Sequence, residues 1–440
     1  MLPTMSRLPK QPRFSSFSGN SRIDKYLPWL LPGMFFLVFW FFRSVQLGEG
    51  SADLWLREVE GGVWFRKRRM LSFFLYQLSY KTGGYLLGWD GRYAMHFVAC
   101  LAGSIFVYYL YRICERWGVK GWIPFGLVMS SGFTVLFYGF LETYALVIAA
   151  SAMFFYYLFG YCEGKNSPLA PALAYSLAAW CHLQVGFYFP VLVLAWWLKG
   201  HKRDEIKTWV QGLIPLAVLM MGITWLNWGA GDFFENIHWM SFHPQPGRPE
   251  DYTYLGKAYW KNILYFQCRI SLFSIPLLLL LPLVHGKRAW NPVEVPLLLL
   301  ATLGTLGLML THYPDNNPQV WTVFALYGFP ATLLAGYWLM KIPHASIPSL
   351  LMIGISFFLT GRYLIQNSQL FHRGEGQIVL EKVPSDALIL LDGYQKKPSV
   401  SHILEGTHEL KIIKKPYIIS TTLQVLPSSC QTVDWKQKQN

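Results

Sequence analysis

The chain is built from long apolar runs separated by short polar segments, and this restricts its fold more than any other feature. A transmembrane helix needs about 20 mostly apolar residues. Runs of this kind lie near 28–47, 93–111, 122–140, 142–161, 168–182, 184–198, 208–228, 263–284, 294–311, 320–340 and 345–365. They predict an α-helical polytopic membrane protein with about eleven transmembrane helices. The runs at 168–182 and 184–198 are short and meet at His182, Leu183 and Gln184. They read either as a helical hairpin or as one kinked pair.

Charge supports the same class. Only 14% of the residues are charged, against about 25% in soluble domains. The net charge of +14 comes mainly from cations between the apolar runs. Membrane orientation accounts for such a pattern, and no nucleic-acid module is visible. Of the six cysteines, Cys100, Cys114, Cys162, Cys181 and Cys268 lie in or beside apolar runs, and Cys430 stands alone. No CxxC pair or His/Cys cluster occurs, so neither a disulfide framework nor a zinc site is expected. Walker A, Rossmann, serine-elbow and zincin signatures are also missing.

Lys and Arg in short loops orient the spans. With residues 1–27 as a cytoplasmic tail, the inside loops are 112–121, 162–167, 199–207, 285–293 and 341–344, and most are basic. The segments 48–92, 229–262, 312–319 and everything after about 366 then face outward. One stretch breaks the rule, Asp53–Arg69 in the outer loop 48–92. It holds Asp53, Glu58 and Glu60, the cations Arg57, Arg66, Lys67, Arg68 and Arg69, and Trp55 and Trp64. Four consecutive cations inside a span would cost on the order of 10 kcal/mol, so no span can be drawn through them. The apolar run after them, 70–80, is too short to cross and suits an interfacial helix. A basic cluster there fits a phosphate-bearing lipid head group, or a lipid-surface anchor without a specific ligand.

After about Gly376 the pattern alternates and the long apolar runs stop. Strands are expected at 387–391, 398–404, 408–413 and 417–426, with Asp392-Gly393 as a hairpin turn. Residues 376–440 therefore read as a small, sandwich-like β domain. This segment resembles a PEGA-type domain in Leu390-Leu391-Asp392-Gly393, in Gly406-Thr407-His408-Glu409-Leu410-Lys411-Ile412 and in Lys415-Pro416-Tyr417. The family more often has Gly where Pro416 stands. The resemblance implies a surface-binding or scaffolding module, and a plain β cap is the alternative.

The membrane region, 28–366, resembles the GT-C superfamily of polytopic glycosyltransferases that use lipid-phosphate-linked sugars. The resemblance rests on Asp53 soon after the first span and on Gly139-Phe140-Leu141-Glu142-Thr143-Tyr144 at a junction of spans. It rests also on His182 within Ala179-Trp180-Cys181-His182-Leu183, and on 312–325 with Asp315, Trp321, Phe324 and Ala325. That last segment lacks the Arg and second Asp of the family pattern. The resemblance implies sugar transfer from a polyprenyl-phosphate-linked donor to a glycan, lipid or protein acceptor on the extracytoplasmic face of a bacterial inner membrane.

Such a transfer needs a carboxylate to take the acceptor proton and cations to neutralise the leaving phosphate. Asp53 is the candidate base, with a helix N-cap as its structural alternative. Glu142, the second catalytic candidate, interrupts apolar sequence on both sides, which at membrane depth marks a functional or paired group, and it would position acceptor or donor. Arg66, Lys67, Arg68, Arg69, Lys257 and Arg269 are candidate phosphate ligands, with Lys261 a further one. His182 and Asp315 are candidate substrate-binding residues. In the loop 229–262, Glu235 and His238 share an i, i+3 helical face. No third ligand has convincing spacing, so no metal or other cofactor is expected. Other readings of the same sequence are a transporter or lipid flippase, a lipid-linked polysaccharide polymerase or ligase, and a membrane-anchored scaffold.

Overall fold

The computed structural model describes residues 21–44, 52–66, 69–200, 203–225, 257–279, 292–310 and 321–367, together with strands within 375–434. The first part is helical. Helix α1 spans Ser21–Phe41, α2 Ala52–Glu60, α3 Met70–Leu87, α4 Gly91–Glu115, α5 Trp122–Met129 and α6 Tyr144–Cys162. Then come α7 Leu169–Cys181, α8 Phe189–Leu198, α9 Arg203–Trp225, α10 Lys257–Ile270, α11 Ser274–Leu279, α12 Glu294–Leu310, α13 Trp321–Leu339 and α14 Ser346–Asn367.

Among the described residues, three helices are long and apolar enough to cross a membrane: Gly91–Glu115, Tyr144–Cys162 and Ser346–Ile365. Shorter apolar helices run at Tyr26–Phe41, Val119–Met129, Leu169–Cys181, Leu183–Leu198 and Glu294–Leu306. The chain is an integral membrane protein. A count of about eleven spans is not decided by these helices, because parts of 263–284, 294–311 and 320–340 lie outside the described residues.

The core is aromatic. Phe106 packs on Phe137 with ring centroids 4.8 Å apart and on Phe329 at 5.1 Å, and Phe155 stacks on Phe329 at 5.0 Å. These rings join α4, α6, α13 and the 3-10 turn Gly132–Phe137 in one buried cluster. At the ends of the spans the chain turns by local chemistry. Gly88 takes a left-handed conformation, φ 68°, and closes α3. Two residues later the Asp90 carboxylate accepts from the Tyr93 amide at 2.8 Å and opens α4.

The stretch 122–140 is not one continuous helix, as its composition predicts. Helix α5 stops at Met129, and a 3-10 turn follows from Gly132. The Ser130 and Ser131 hydroxyls both donate to the Leu127 carbonyl, at 3.2 and 2.7 Å. A Cβ on Gly132 would lie 1.8 Å from the Arg269 carbonyl oxygen, so only glycine lets α10 approach there. The Ser130 carbonyl, freed by the break, accepts from Ser356 Oγ at 2.8 Å and Thr360 Oγ1 at 2.9 Å on α14. A broken helix at membrane depth is tolerated when neighbours take up its backbone groups in this way.

Helix α3 also departs from the sequence reading. It continues past residue 80 to Leu87 and packs on α4 and α7. Ser79 Oγ donates to the Ala94 carbonyl at 3.2 Å and Ser72 Oγ to the Cys181 carbonyl at 3.0 Å. An apolar run shows how much surface is greasy, and these side-chain bonds fix where the helix lies.

In the last segment, β1 spans Glu375–Glu381, β2 Leu388–Leu391, β3 Tyr394–Lys396, β4 Ser399–Leu404, β5 Gly406–Lys414, β6 Tyr417–Val425 and β7 Cys430–Asp434. They form a three-stranded sheet in the order β4-β1-β7 and a four-stranded sheet in the order β3-β2-β5-β6. Leu391 pairs with both Tyr394 and Leu410, and Ile389 pairs with Ile412. Ile389, Leu410 and Ile412 are buried, which sets one apolar face of the second sheet.

Candidate functional site

The ends of the helical bundle differ. One carries the ion pairs Arg116–Glu163 at 3.1 Å and Lys341–Glu294 at 2.9 Å. The other carries α2, α3, the N-termini of α4 and α6, and the C-terminus of α7. There the linker 138–143 leads from the 3-10 turn into α6. It bends at Gly139, whose φ of 71° favours glycine. The Glu142 amide donates to the Phe140 carbonyl at 2.7 Å, and Tyr76 Oη on α3 donates to the Glu142 carbonyl at 2.9 Å. The backbone at Glu142 is thus held from both sides.

The Glu142 carboxylate is buried, with 3% of the residue exposed. It accepts from the indole N–H of Trp55 at 3.2 Å. Trp55 lies on α2, buried edge-on against Phe73 with ring centroids 5.6 Å apart. Over the same indole, at 4.4 Å, sits the guanidinium of Arg69, the residue that opens α3. Arg69 also lies 5.6 Å from the ring of Tyr144. Its Nη1 is buried and has no hydrogen-bond partner among the described residues. Tyr144 in turn packs against the His182 imidazole, ring centroids 5.2 Å apart and planes tilted by 32°.

His182 caps α7 in an extended conformation. Its Nδ1 accepts from the Gln184 amide at 3.1 Å. A neutral imidazole with Nδ1 as acceptor carries its proton on Nε2. Burial pushes the Tyr76 phenol well above its ordinary pKa, and the Glu142 charge adds to the shift. Tyr76 therefore remains a donor at any physiological pH. The result is an aromatic-walled cluster bearing a carboxylate, a guanidinium and an imidazole.

The basic run does not act as one unit. Arg66 pairs with Glu58 through two hydrogen bonds, its Nε to Oε2 at 2.7 Å and its Nη2 to Oε1. The hydrogen bond to Glu58 raises the Arg66 pKa. Arg69 turns inward to Trp55, and Lys67 and Arg68 lie outside the described residues. Asp53 falls in the first turn of α2, and its side chain lies outside the described residues, as does Asp315. Lys257 begins α10, again with its side chain outside the description. Lys261 is exposed on that helix.

Arg269 joins a different place. Its Nη1 donates to Tyr265 Oη at 3.0 Å, and its guanidinium lies 5.2 Å from the Tyr363 ring. With Gly132, Ser356 and Thr360 it lines a cavity of about 220 Å³ beside the α5 break. Glu235 and His238 lie outside the described residues. Among the described residues, no three His, Cys, Asp or Glu side chains gather at metal-binding distance. Trp55 and Tyr76 were not legible as site residues. An isolated tryptophan or tyrosine near an interface carries no sequence mark that separates a site donor from a membrane anchor.

Two solved structures share this fold. One is ArnT from Cupriavidus metallidurans bound to undecaprenyl phosphate, with TM-score 0.51 and 13% identity over 74% of this chain. The other is the same protein in the apo state, with TM-score 0.50 and 14% identity over 74% of this chain. In both, the match covers 62% of the ArnT chain. No family model and no curated protein matches the sequence. At this identity the likeness shows the fold alone: the helical part of this chain shares the fold of ArnT.

Proposed function

We propose that the chain is a polyprenyl-phosphate-dependent membrane glycosyltransferase of GT-C type. It moves a sugar from a lipid-phosphate donor to an acceptor at the membrane face carrying α2 and α3. The observation that carries this reading is the convergence of Glu142, Arg69 and His182 around Trp55 and Tyr144. The ArnT fold supports it, since that protein is described with undecaprenyl phosphate bound.

In this reading the acceptor hydroxyl gives its proton to the Asp53 carboxylate as its oxygen bonds to the anomeric carbon. The bond from that carbon to the phosphate oxygen breaks, and the electron pair leaves with the lipid phosphate. Arg69 meets the charge that develops there, in a site where surrounding rings exclude water and strengthen the interaction. Glu142, held by Trp55, and His182, fixed in one tautomer, orient sugar or acceptor hydroxyls. Lys67, Arg68, Lys257 and Asp315 are further substrate contacts, Arg269 lines the separate cavity beside the α5 break, and Arg66 supports the loop through Glu58. The membrane is a bacterial inner membrane, with the N-terminus cytoplasmic and the site and the PEGA-like β segment extracytoplasmic.

The test is transfer from a radiolabelled undecaprenyl-phosphate sugar by the purified full chain in detergent. Wild type releases labelled acceptor, and Asp53→Asn folds but loses transfer. Unchanged transfer by that variant removes Asp53 as the base. Lipid translocation in vesicles without cleavage of the sugar–phosphate bond would replace the reading with a flippase.

A further inference from the structure

A second group of unmet polar atoms lies on the α1 side of the same linker. His96, on α4, is 2% exposed, and neither Nδ1 nor Nε2 has a hydrogen-bond partner among the described residues. The same holds for Arg43 Nε and for the buried hydroxyl of Ser44, which directly follow α1. Their side chains start from one place: a Cβ on Gly139 would lie 3.1 Å from the His96 ring carbon Cδ2 and 3.2 Å from Arg43 Cβ, while Arg43 Nη1 donates to the Trp40 carbonyl at 2.9 Å. The Ser44 amide donates to the neighbouring Tyr138 carbonyl at 2.7 Å. Arg92, on the first turn of α4, stands four residues before His96 and so shares its helix face.

Native proteins pair nearly all buried polar groups, so a buried imidazole with two open nitrogens marks a missing partner. The unmet groups here are mainly donors: a guanidinium N–H, a hydroxyl and an imidazole N–H. Arg43 brings one guanidinium charge, and Arg92, four residues before His96 on α4, another. One species answers all of these at once, an anion with several oxygens, because each oxygen accepts from a different direction. The position is also specific. Arg43 lies 4.5 Å from the Trp40 ring, and Trp40 lies 6.1 Å from Trp89, an aromatic rim of the kind found at the membrane–water interface.

We propose that Arg43, Ser44 and His96, with the charge of Arg92, form a second oxyanion site that takes a phosphate group at the membrane face. It is built on α1 and α4, whereas the Arg69 cluster is built on α2, α3 and α7. The inference does not depend on the transfer reading. The phosphate is that of a lipid head group or a free phosphate, and the chemistry at the protein is the same.

The experiment uses the full chain in detergent carrying Arg69→Gln, which removes the first cluster's cation. Inorganic phosphate is titrated against chloride at constant ionic strength, with thermal unfolding and ¹⁵N-histidine NMR as readouts. Phosphate is expected to raise the Tm of Arg69→Gln and to shift one imidazole that disappears in His96→Gln. Adding Arg43→Gln should abolish both effects. Dihexanoyl phosphatidic acid forms the lipid arm. Saturation at a lower concentration than phosphate identifies a head group, and the reverse order identifies a free phosphate. Absence of any phosphate effect in Arg69→Gln, or its persistence after Arg43→Gln, overturns the site. Should His96→Gln fail to fold, the Arg43→Gln comparison alone decides. Absence of sugar transfer by the wild-type chain, with phosphate binding at Arg43 intact, would count against the transfer reading and leave this one standing.

Discussion

The indole of Trp55 donates to the buried carboxylate of Glu142 at 3.2 Å, joining residues 87 positions apart. This bond ties the short helix α2 to the linker before α6, and Arg69 covers the other side of the same indole at 4.4 Å. One tryptophan therefore positions both a carboxylate and a cation.

Trp55→Phe keeps the ring and removes the N–H. A hydrogen bond to a charged group contributes about 1.5–3 kcal/mol. If that contribution is expressed in the transition state, transfer should fall about 10- to 100-fold. Steady-state transfer with a lipid-linked sugar measures it, and Tm should also fall, because a buried carboxylate loses a donor. Rates equal to wild type would show that Glu142 needs no help from the indole.

Arg69→Lys keeps the charge but loses the planar group that stacks on Trp55. The expected result is a KM for the donor raised about tenfold, an effect of about 1.4 kcal/mol. Arg66→Gln removes a partly exposed ion pair with Glu58. Such pairs contribute about 0–1 kcal/mol, so it should change KM far less. Equal effects of the two variants would mean that the basic run acts as a general surface charge.

Gly139→Ala places a side chain at φ 71° and within 3.2 Å of His96 and Arg43. The strain is about 1 kcal/mol or more. It should lower Tm and displace Glu142, so transfer falls with stability. A Tm matching wild type would show that the linker relaxes freely.

Ser356→Ala combined with Thr360→Val removes both donors to the Ser130 carbonyl. A buried acceptor left unmet costs about 1–3 kcal/mol. Thermal unfolding in detergent should show the loss, which each single variant avoids in part because the other hydroxyl remains.

Several of these groups stood out in the sequence for a clear reason. Glu142 and His182 interrupt apolar runs, and an ionisable group at such a place is costly enough to be conspicuous. Arg69 stood out only as part of a run, and the run proved heterogeneous. Arg66 found Glu58 eight residues away, whereas Arg69 found Trp55 and Tyr144. Arg43 and His96 drew no notice. Arg43 lies within the apolar run 28–47 and His96 within 93–111, and no motif or neighbouring charge run sets either apart. Their importance rests on having no partner, which a linear sequence does not show.

The sequence by itself determined that this chain enters a membrane and where most of its helices lie. Hydrocarbon demands long apolar segments with internally bonded backbones, and that demand is written residue by residue. Only the tertiary structure decided that residues 122–140 break at Ser130 and that α3 runs on to Leu87. It alone decided which cation turns inward and which carboxylate meets Trp55. Those outcomes rest on contacts between distant residues. Their energies depend on how closely α2, α3, α6 and α7 approach, and no local pattern of residues encodes that distance.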